Sequence, residues 1–135
     1  VISSSFLFVT AQGMLKIMDG IELKAAKRTV ASTKLMSGDE LIRIIPVSMD
    51  PDLEDKVILQ TKGGVFLKFL LSDVPAKKKA AIGVKGIKLT KDDMISEVYV
   101  MEAQQISSIM YKKKKLEFNK LKLSKRDTKG SKIRR

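Results

Sequence analysis

The chain has 135 residues, enough for one domain or a few units of a repeat array. Hydrophobic residues make up 44% and aromatic residues 5%, with no Trp, so a core is possible and must be aliphatic. The net charge is +12, and the absence of Cys and His excludes disulfides, thiol nucleophiles, Cys/His zinc sites and a Ser-His-Asp triad.

No window approaches 18 uncharged apolar residues, so no membrane span is expected. Residues Val1–Thr10 carry no basic segment leading into a cleavage site, and the chain reads as a piece of a longer protein. The lack of Cys fits a reducing cytoplasm.

In chain order, "FLFVT" (Phe6–Thr10) is a short β-rich run, "AQG" a turn, and a second apolar run follows from Met14. This is the pattern of a β-hairpin in which Gly13 supplies the positive φ of a tight turn. A basic stretch, "KAAKRTV", comes next, then a third strand at "TKL", a turn at "MSGDE" and a fourth strand at "LIRIIPV". "DPDLED" (Asp50–Asp55) lacks the Gly and the terminal Glu of a calcium loop and reads as an acidic connection.

The same order then repeats. "VILQT" (Val57–Thr61), the turn "KGG" and "VFLKF" predict a second hairpin, with Gly64 at positive φ. "PAKKKAAIGV" is a basic loop, "GIKL" a third strand, "TKDD" a turn and "MISEVYV" a fourth strand. Thr10/Thr61 and Gly13/Gly64 are 51 apart, and Leu35/Leu89 and Asp39/Asp93 are 54 apart, so the extra positions fall in the basic loop, where insertion costs little. "MEAQQISSIM" (Met101–Met110) reads equally as a helical turn, a strand or a loop. "LEFNKLKL" is a strand, "SKRDTKG" a basic turn and "SKIRR" the start of another strand.

Four strands in about 50 residues is the arithmetic of a propeller blade, which buries its faces only against neighbours. We expect an all-β chain with unit one at residues 6–48, unit two at 57–101 and a partial third at 111–135. Two and a half blades do not close a ring, so upstream residues, several chains or an open arc are the alternatives.

Charge is concentrated at the end: Lys112–Arg135 holds twelve Lys/Arg against Glu117 and Asp127. Such a run reads either as a solvated basic tail or as a surface for polyanions. Lys112–Lys115 is either a guard against edge-to-edge aggregation or a DNA contact.

The repeated phrases "FLFVTAQGMLK", "KRTVASTKLMSGDELI", "VILQTKGGVFLKF" and "AIGVKGIKLTKDDMI" resemble the C-terminal domain of the A subunit of bacterial type IIA topoisomerases, that is, of DNA gyrase or topoisomerase IV. The resemblance runs from about Phe6 to the end of the chain. It implies a β-pinwheel, a propeller-like ring of about six blades that exchange strands, whose basic rim binds and bends duplex DNA. It also implies two protein partners, the rest of the A subunit plus a B subunit, in a cytoplasmic, nucleoid-associated setting. No cofactor is expected within this segment; ATP would act on the B subunit and Mg2+ at the cleavage core.

The gyrase signature Q-R-R-G-G-K-G has only degenerate counterparts, "KKKAAIG" (Lys77–Gly83) and "SKRDTKG" (Ser124–Gly130), neither with the double Gly. Chiral wrapping therefore does not follow, and late gyrase blades or topoisomerase IV fit equally.

If phosphates are the ligand, the candidates lie in basic loops and hairpin ends: Lys16, Lys27, Arg28, Lys34, Lys68, Lys77, Lys78, Lys79, Lys85, Lys88, Arg126, Lys129 and Lys132. Lys77–Lys79, near Gly83 and Gly86, is the densest group. Asp39/Glu40 and Asp92/Asp93 recur at matched places and read as turn residues, since a single active site would not be duplicated with the fold. Tyr99 and Tyr111 lack the Arg and acidic neighbours of a DNA-cleaving tyrosine, and no phosphate-binding P-loop is present, so this segment is not expected to be an enzyme. A propeller-type protein-interaction platform with a basic tail is the alternative, and a small RNA-binding β-domain is disfavoured by the lack of aromatic platforms.

Overall fold

The computed structural model describes residues 5–20, 36–48, 50, 52, 54–77, 81–102 and 104–133. Among them run ten strands: β1 (Ser5–Thr10), β2 (Met14–Asp19), β3 (Leu41–Val47), β4 (Lys56–Thr61), β5 (Val65–Leu70), β6 (Val84–Lys85), β7 (Ile95–Val100), β8 (Ser108–Tyr111), β9 (Lys114–Glu117) and β10 (Ser131–Lys132). Two single 3-10 turns, Leu71–Asp73 and Phe118–Lys120, are among the described helices. None is long and apolar enough to cross a membrane.

Two four-stranded sheets form, ordered β3-β1-β2-β6 and β10-β5-β4-β7, with a two-stranded β8-β9 hairpin beside them. The paired strands are antiparallel, and β1-β2, β4-β5 and β8-β9 are joined by short hairpin loops. In each four-stranded sheet, one strand comes from the following unit. β6, from unit two, pairs with β2 at Met14↔Lys85 and Leu15↔Val84. β10, from unit three, pairs with β5 at Ser131↔Phe66 and Lys132↔Val65. The sheets thus contain the exchange of strands between neighbouring blades that the family resemblance implies, where the repeat alone suggests four strands from one unit. The strand expected at "GIKL" is also shorter and displaced, being Val84–Lys85 followed by a lone bridge at Ile87.

The middle strands are apolar at successive positions because a blade is covered on both faces. Leu7, Val9, Leu15 and Ile17 of blade one meet Val57, Leu59, Leu67 and Phe69 of blade two in one core. Ile58 and Phe66, on the opposite face of blade two, pack against Leu116 and Phe118 of the third unit. Phe8 and Met18 form a smaller cluster on the outer face of blade one. The aliphatic core is thus divided into layers between blades, and burying a Val, Leu, Ile or Phe in such a layer contributes about 1.5–3 kcal/mol.

The third unit differs from its sequence reading. Its hairpin begins at Ser108, and "LEFNKLKL" is a strand only to Glu117 before the chain turns through Phe118–Lys120. The basic segment 104–133 is folded onto blade two rather than hanging free: Ser124 N–H donates to Lys68 O (2.8 Å), and Ile133 N–H to Gly64 O (2.9 Å).

Candidate nucleic-acid interface

The repeated Thr and Gly build the hairpin tips. Thr10 Oγ1 accepts from Met14 N–H (3.0 Å), and Thr61 Oγ1 from Val65 N–H (3.1 Å). Gly13 (φ 85°) and Gly64 (φ 87°) take the left-handed position of a three-residue loop, where a Cβ would be strained. Beside each threonine the neighbouring strand bulges, between Val9/Thr10 and between Gln60/Thr61. The matched aspartates fasten the tips. Asp39 Oδ1 accepts from Gln12 N–H (2.9 Å) and Glu40 N–H (2.8 Å), and Asp93 Oδ1 from Gly63 N–H and Met94 N–H (both 2.9 Å). Burial alone would push the Asp93 carboxyl up; hydrogen bonds from the Thr61 hydroxyl and the Gly63 and Met94 N–H groups, with the Lys132 charge, outweigh it and hold the group below the usual carboxylate range.

These tips place β6 and β10 along the outer edges. Lys85 lies opposite Met14 and Lys132 opposite Val65, and Met14 and Val65 are the equivalent residues that bond to the motif threonines. Lys85 and Lys132 therefore hold one register position on successive blades. Both are exposed, as are Lys77, Lys88 and Lys129. Gly83 (φ 105°) and Gly130 (φ 74°) precede the two edge strands; their missing side chains leave room for the carbonyls of Leu15 and Phe66. Lys77 N–H donates to Ile17 O (2.7 Å), which seats the start of its loop on blade one.

Two sequence candidates are removed from this surface. Lys16 is 2% exposed, donates Nζ to Ala81 O (2.7 Å) and lies 5.8 Å from the Phe8 ring centroid. Lys68 is 6% exposed and donates to Phe118 O (2.9 Å). Their ammonium groups join segments of the fold and do not reach solvent, so neither is available to a phosphate. Hairpin position suggested exposure, but both faces of a blade are covered.

Arg126 has a mixed position. Its Nε donates to Asp73 O (3.1 Å) and its Nη1 to Lys85 O (2.6 Å). Backbone bonds from Asp127 N–H to Gly86 O (2.9 Å) and from Lys88 N–H to Thr128 O (2.8 Å) join the same two loops. Arg126 thus clasps the unit-three loop to the strand carrying Lys85. Lys27, Arg28, Lys34, Lys78 and Lys79 lie outside the described residues.

The sequence candidates omitted Lys125, which is exposed in the loop that bears Arg126. Sliding "KKKAAIG" onto "SKRDTKG" aligns Lys125 with Lys78 and was the available signal. The tyrosines have local structural partners. Tyr99 Oη donates to Gln60 Oε1 (2.7 Å), and burial, with the Glu97 charge, pushes its pKa up. Tyr111 packs edge-on against Phe66, with ring centroids 5.0 Å apart.

Comparison with known proteins agrees with this architecture. A family model described as the DNA gyrase C-terminal domain, a β-propeller, matches residues 4–48 and 55–100. The DNA gyrase A subunit of Lawsonia intracellularis is 31% identical over 101 residues, covering 74% of this chain. The DNA topoisomerase 4 A subunit of Streptococcus pyogenes serotype M3 is 31% identical over 98 residues, covering 71%. The matched part is 12% of each of those relatives. Solved C-terminal domains of topoisomerase IV (TM-score 0.77) and of DNA gyrase A (TM-score 0.78), each 24% identical, share the fold over 96% of this chain and 41% and 43% of their own. The chain belongs to the DNA gyrase A C-terminal β-propeller family, the pinwheel domain shared by the A subunits of gyrase and topoisomerase IV.

Proposed function

We propose that this chain is a non-catalytic module of a type II topoisomerase A subunit that binds and bends duplex DNA along its blade rim. The observation that supports this most is the register match of Lys85 and Lys132 on edge strands of successive blades. Lysines repeated with the blade offer positive charge at the blade spacing, and neutralising phosphates needs no base contact. Successive blades turn about an axis, so a duplex that follows the row must curve. Smooth bending of a 20–30 base-pair site costs about 1–6 kcal/mol, and the added phosphate contacts offset it. In this reading strand cleavage, with its Mg2+, belongs to the rest of the A subunit, ATP hydrolysis belongs to a B subunit, and the complex works on cytoplasmic DNA.

The test is a salt titration of binding to a labelled duplex, with energy transfer between its ends as the measure of bending. We expect a log–log slope of about −0.9 per phosphate neutralised, flattened by about 2 units in a Lys85→Ala/Lys132→Ala variant. End-to-end approach on binding is also expected. Binding without a salt slope, or with straight DNA, rejects the reading.

A further inference from the structure

The third hairpin closes differently from the other two. Tips one and two are three-residue loops that place a glycine at positive φ. In the β8-β9 hairpin Tyr111 pairs directly with Lys114, so Lys112 and Lys113 alone form the turn. Both have positive φ, 49° and 70°. A two-residue turn of this kind favours Asn-Gly, and long side chains occupy the left-handed region at a cost. The chain places glycine in that region at Gly13, Gly38, Gly64, Gly83 and Gly130. Among the described residues, the other non-glycine cases, Asp92, Gln105 and Asp127, are single; Lys112–Lys113 is the consecutive pair.

Electrostatics opposes the arrangement as well. Lys112–Lys115 are four adjacent exposed cations. Neither Lys112 nor Lys113 is in either of the ion pairs found among the described residues, Arg43–Glu97 and Lys120–Glu117. Lys112 Nζ instead sits 5.5 Å from the Tyr111 ring centroid. Backbone preference and mutual repulsion thus both disfavour lysine here, and such strain characterises functional positions.

The tip also adjoins the rim. A Cβ on Gly64 would come within 2.6 Å of the Tyr111 hydroxyl and 3.8 Å of Ile133 O, which places Tyr111 beside tip two and the residue after Lys132. Tyr111, the residue before the Lys112–Lys113 turn, thus has its hydroxyl beside the strand that carries Lys132.

We propose that the Lys112–Lys113 turn is a separate phosphate-binding site for duplex DNA that extends the rim onto the third hairpin. This rests on the rim reading above. The site takes phosphate oxygens through two ammonium groups and reads no bases.

Two variants of the full chain test it: Lys112→Asn/Lys113→Gly, which removes both charges and relieves the turn, and Lys112→Gln/Lys113→Gln, which removes the charges alone. We expect the first to melt at a higher temperature while its duplex-binding salt slope flattens by about 2 units. The second should flatten equally without the rise in melting temperature. An unchanged slope in both variants, while Lys85→Ala/Lys132→Ala still flattens it, overturns the site and leaves the rim intact. A parent chain that shows no duplex binding overturns both. Equal loss of binding to an acidic protein and to the duplex also overturns the site, since it would then be a general cation surface.

Discussion

Asp93 and Gly63, thirty residues apart in sequence, meet at the tip of the second hairpin, where Asp93 Oδ1 accepts the Gly63 N–H at 2.9 Å. The same carboxylate receives Met94 N–H and the Thr61 hydroxyl. Its folded-state pKa is depressed, so the stability it contributes is complete above the ordinary carboxyl range and is lost as pH falls through the folded value. Asp93→Ala is expected to cost about 1–3 kcal/mol at neutral pH. Asp93→Asn should flatten the acid limb of a plot of stability against pH. Asp39 makes the two matching backbone contacts, but its Oδ2 is buried without a partner, so Asp39→Ala should cost less. Urea melts between pH 3 and pH 7 measure all of this.

Gly64→Val should lower stability by about 1–3 kcal/mol from backbone strain alone, because φ is 87° and valine is branched at Cβ. The new Cβ would also crowd the Tyr111 hydroxyl and loosen the third hairpin. Gly63→Ala would meet an Asp93 oxygen at 2.9 Å but needs no positive φ, so it should be the milder change. Thermal melts of the two variants check the order, and an unchanged melting temperature for Gly64→Val contradicts the tip geometry.

The repeat made much of this legible. Thr, Gly and Asp recur because each tip needs a hydroxyl acceptor and a positive φ, both local, and a carboxylate cap that the repeat brings back in the same register 27 to 30 residues later. Strand exchange left no local signal: Val84–Lys85 looks the same whether it pairs with its own blade or the previous one. Burial of Lys16 and Lys68 was hidden for a related reason, since their carbonyl partners, Ala81 and Phe118, lie 65 and 50 residues away. The Lys112–Lys113 turn escaped notice because neither residue favours the conformation it adopts. Arg126 was found as a charge, while its role as a clasp depends on Asp73 and Lys85 carbonyls distant in sequence.

Lys68 offers a test of the division between inner and outer lysines. Burial, with a smaller effect of the Lys56 charge, holds its pKa below the ordinary lysine value. Just below the ordinary range the unfolded chain binds the extra proton, so stability should rise with pH there, and Lys68→Met should remove that rise. The variant also removes one of the two donors to Phe118 O, which keeps the Leu121 N–H at 3.1 Å, at a cost of about 1 kcal/mol. The salt slope of duplex binding should stay the same. A flattened slope would return Lys68 to the DNA surface.

Arg126 separates positioning from contact. Its guanidinium bonds two carbonyls, of Asp73 and Lys85, in a fork that a lysine ammonium does not reproduce. Arg126→Lys keeps the charge and removes the fork; Arg126→Ala removes both. If the residue holds the unit-three loop against the Lys85 strand, both variants lose about 1 kcal/mol of stability, because the group is partly exposed and each bond is worth little more than a neutral one. Both also leave the slope of duplex binding unchanged and widen the spread of end-to-end distances in bound DNA, since the loop that leads to Lys132 is no longer fixed to the strand that carries Lys85. Direct phosphate contact predicts the opposite: Arg126→Ala flattens the slope by about 0.9 units with an unchanged melting temperature, and Arg126→Lys binds like the parent. Truncation after Asn119 does not distinguish the two, because it also deletes β10, the edge strand of blade two. The paired point variants, measured by melting, salt titration and energy transfer on the same preparations, decide between clasp and contact.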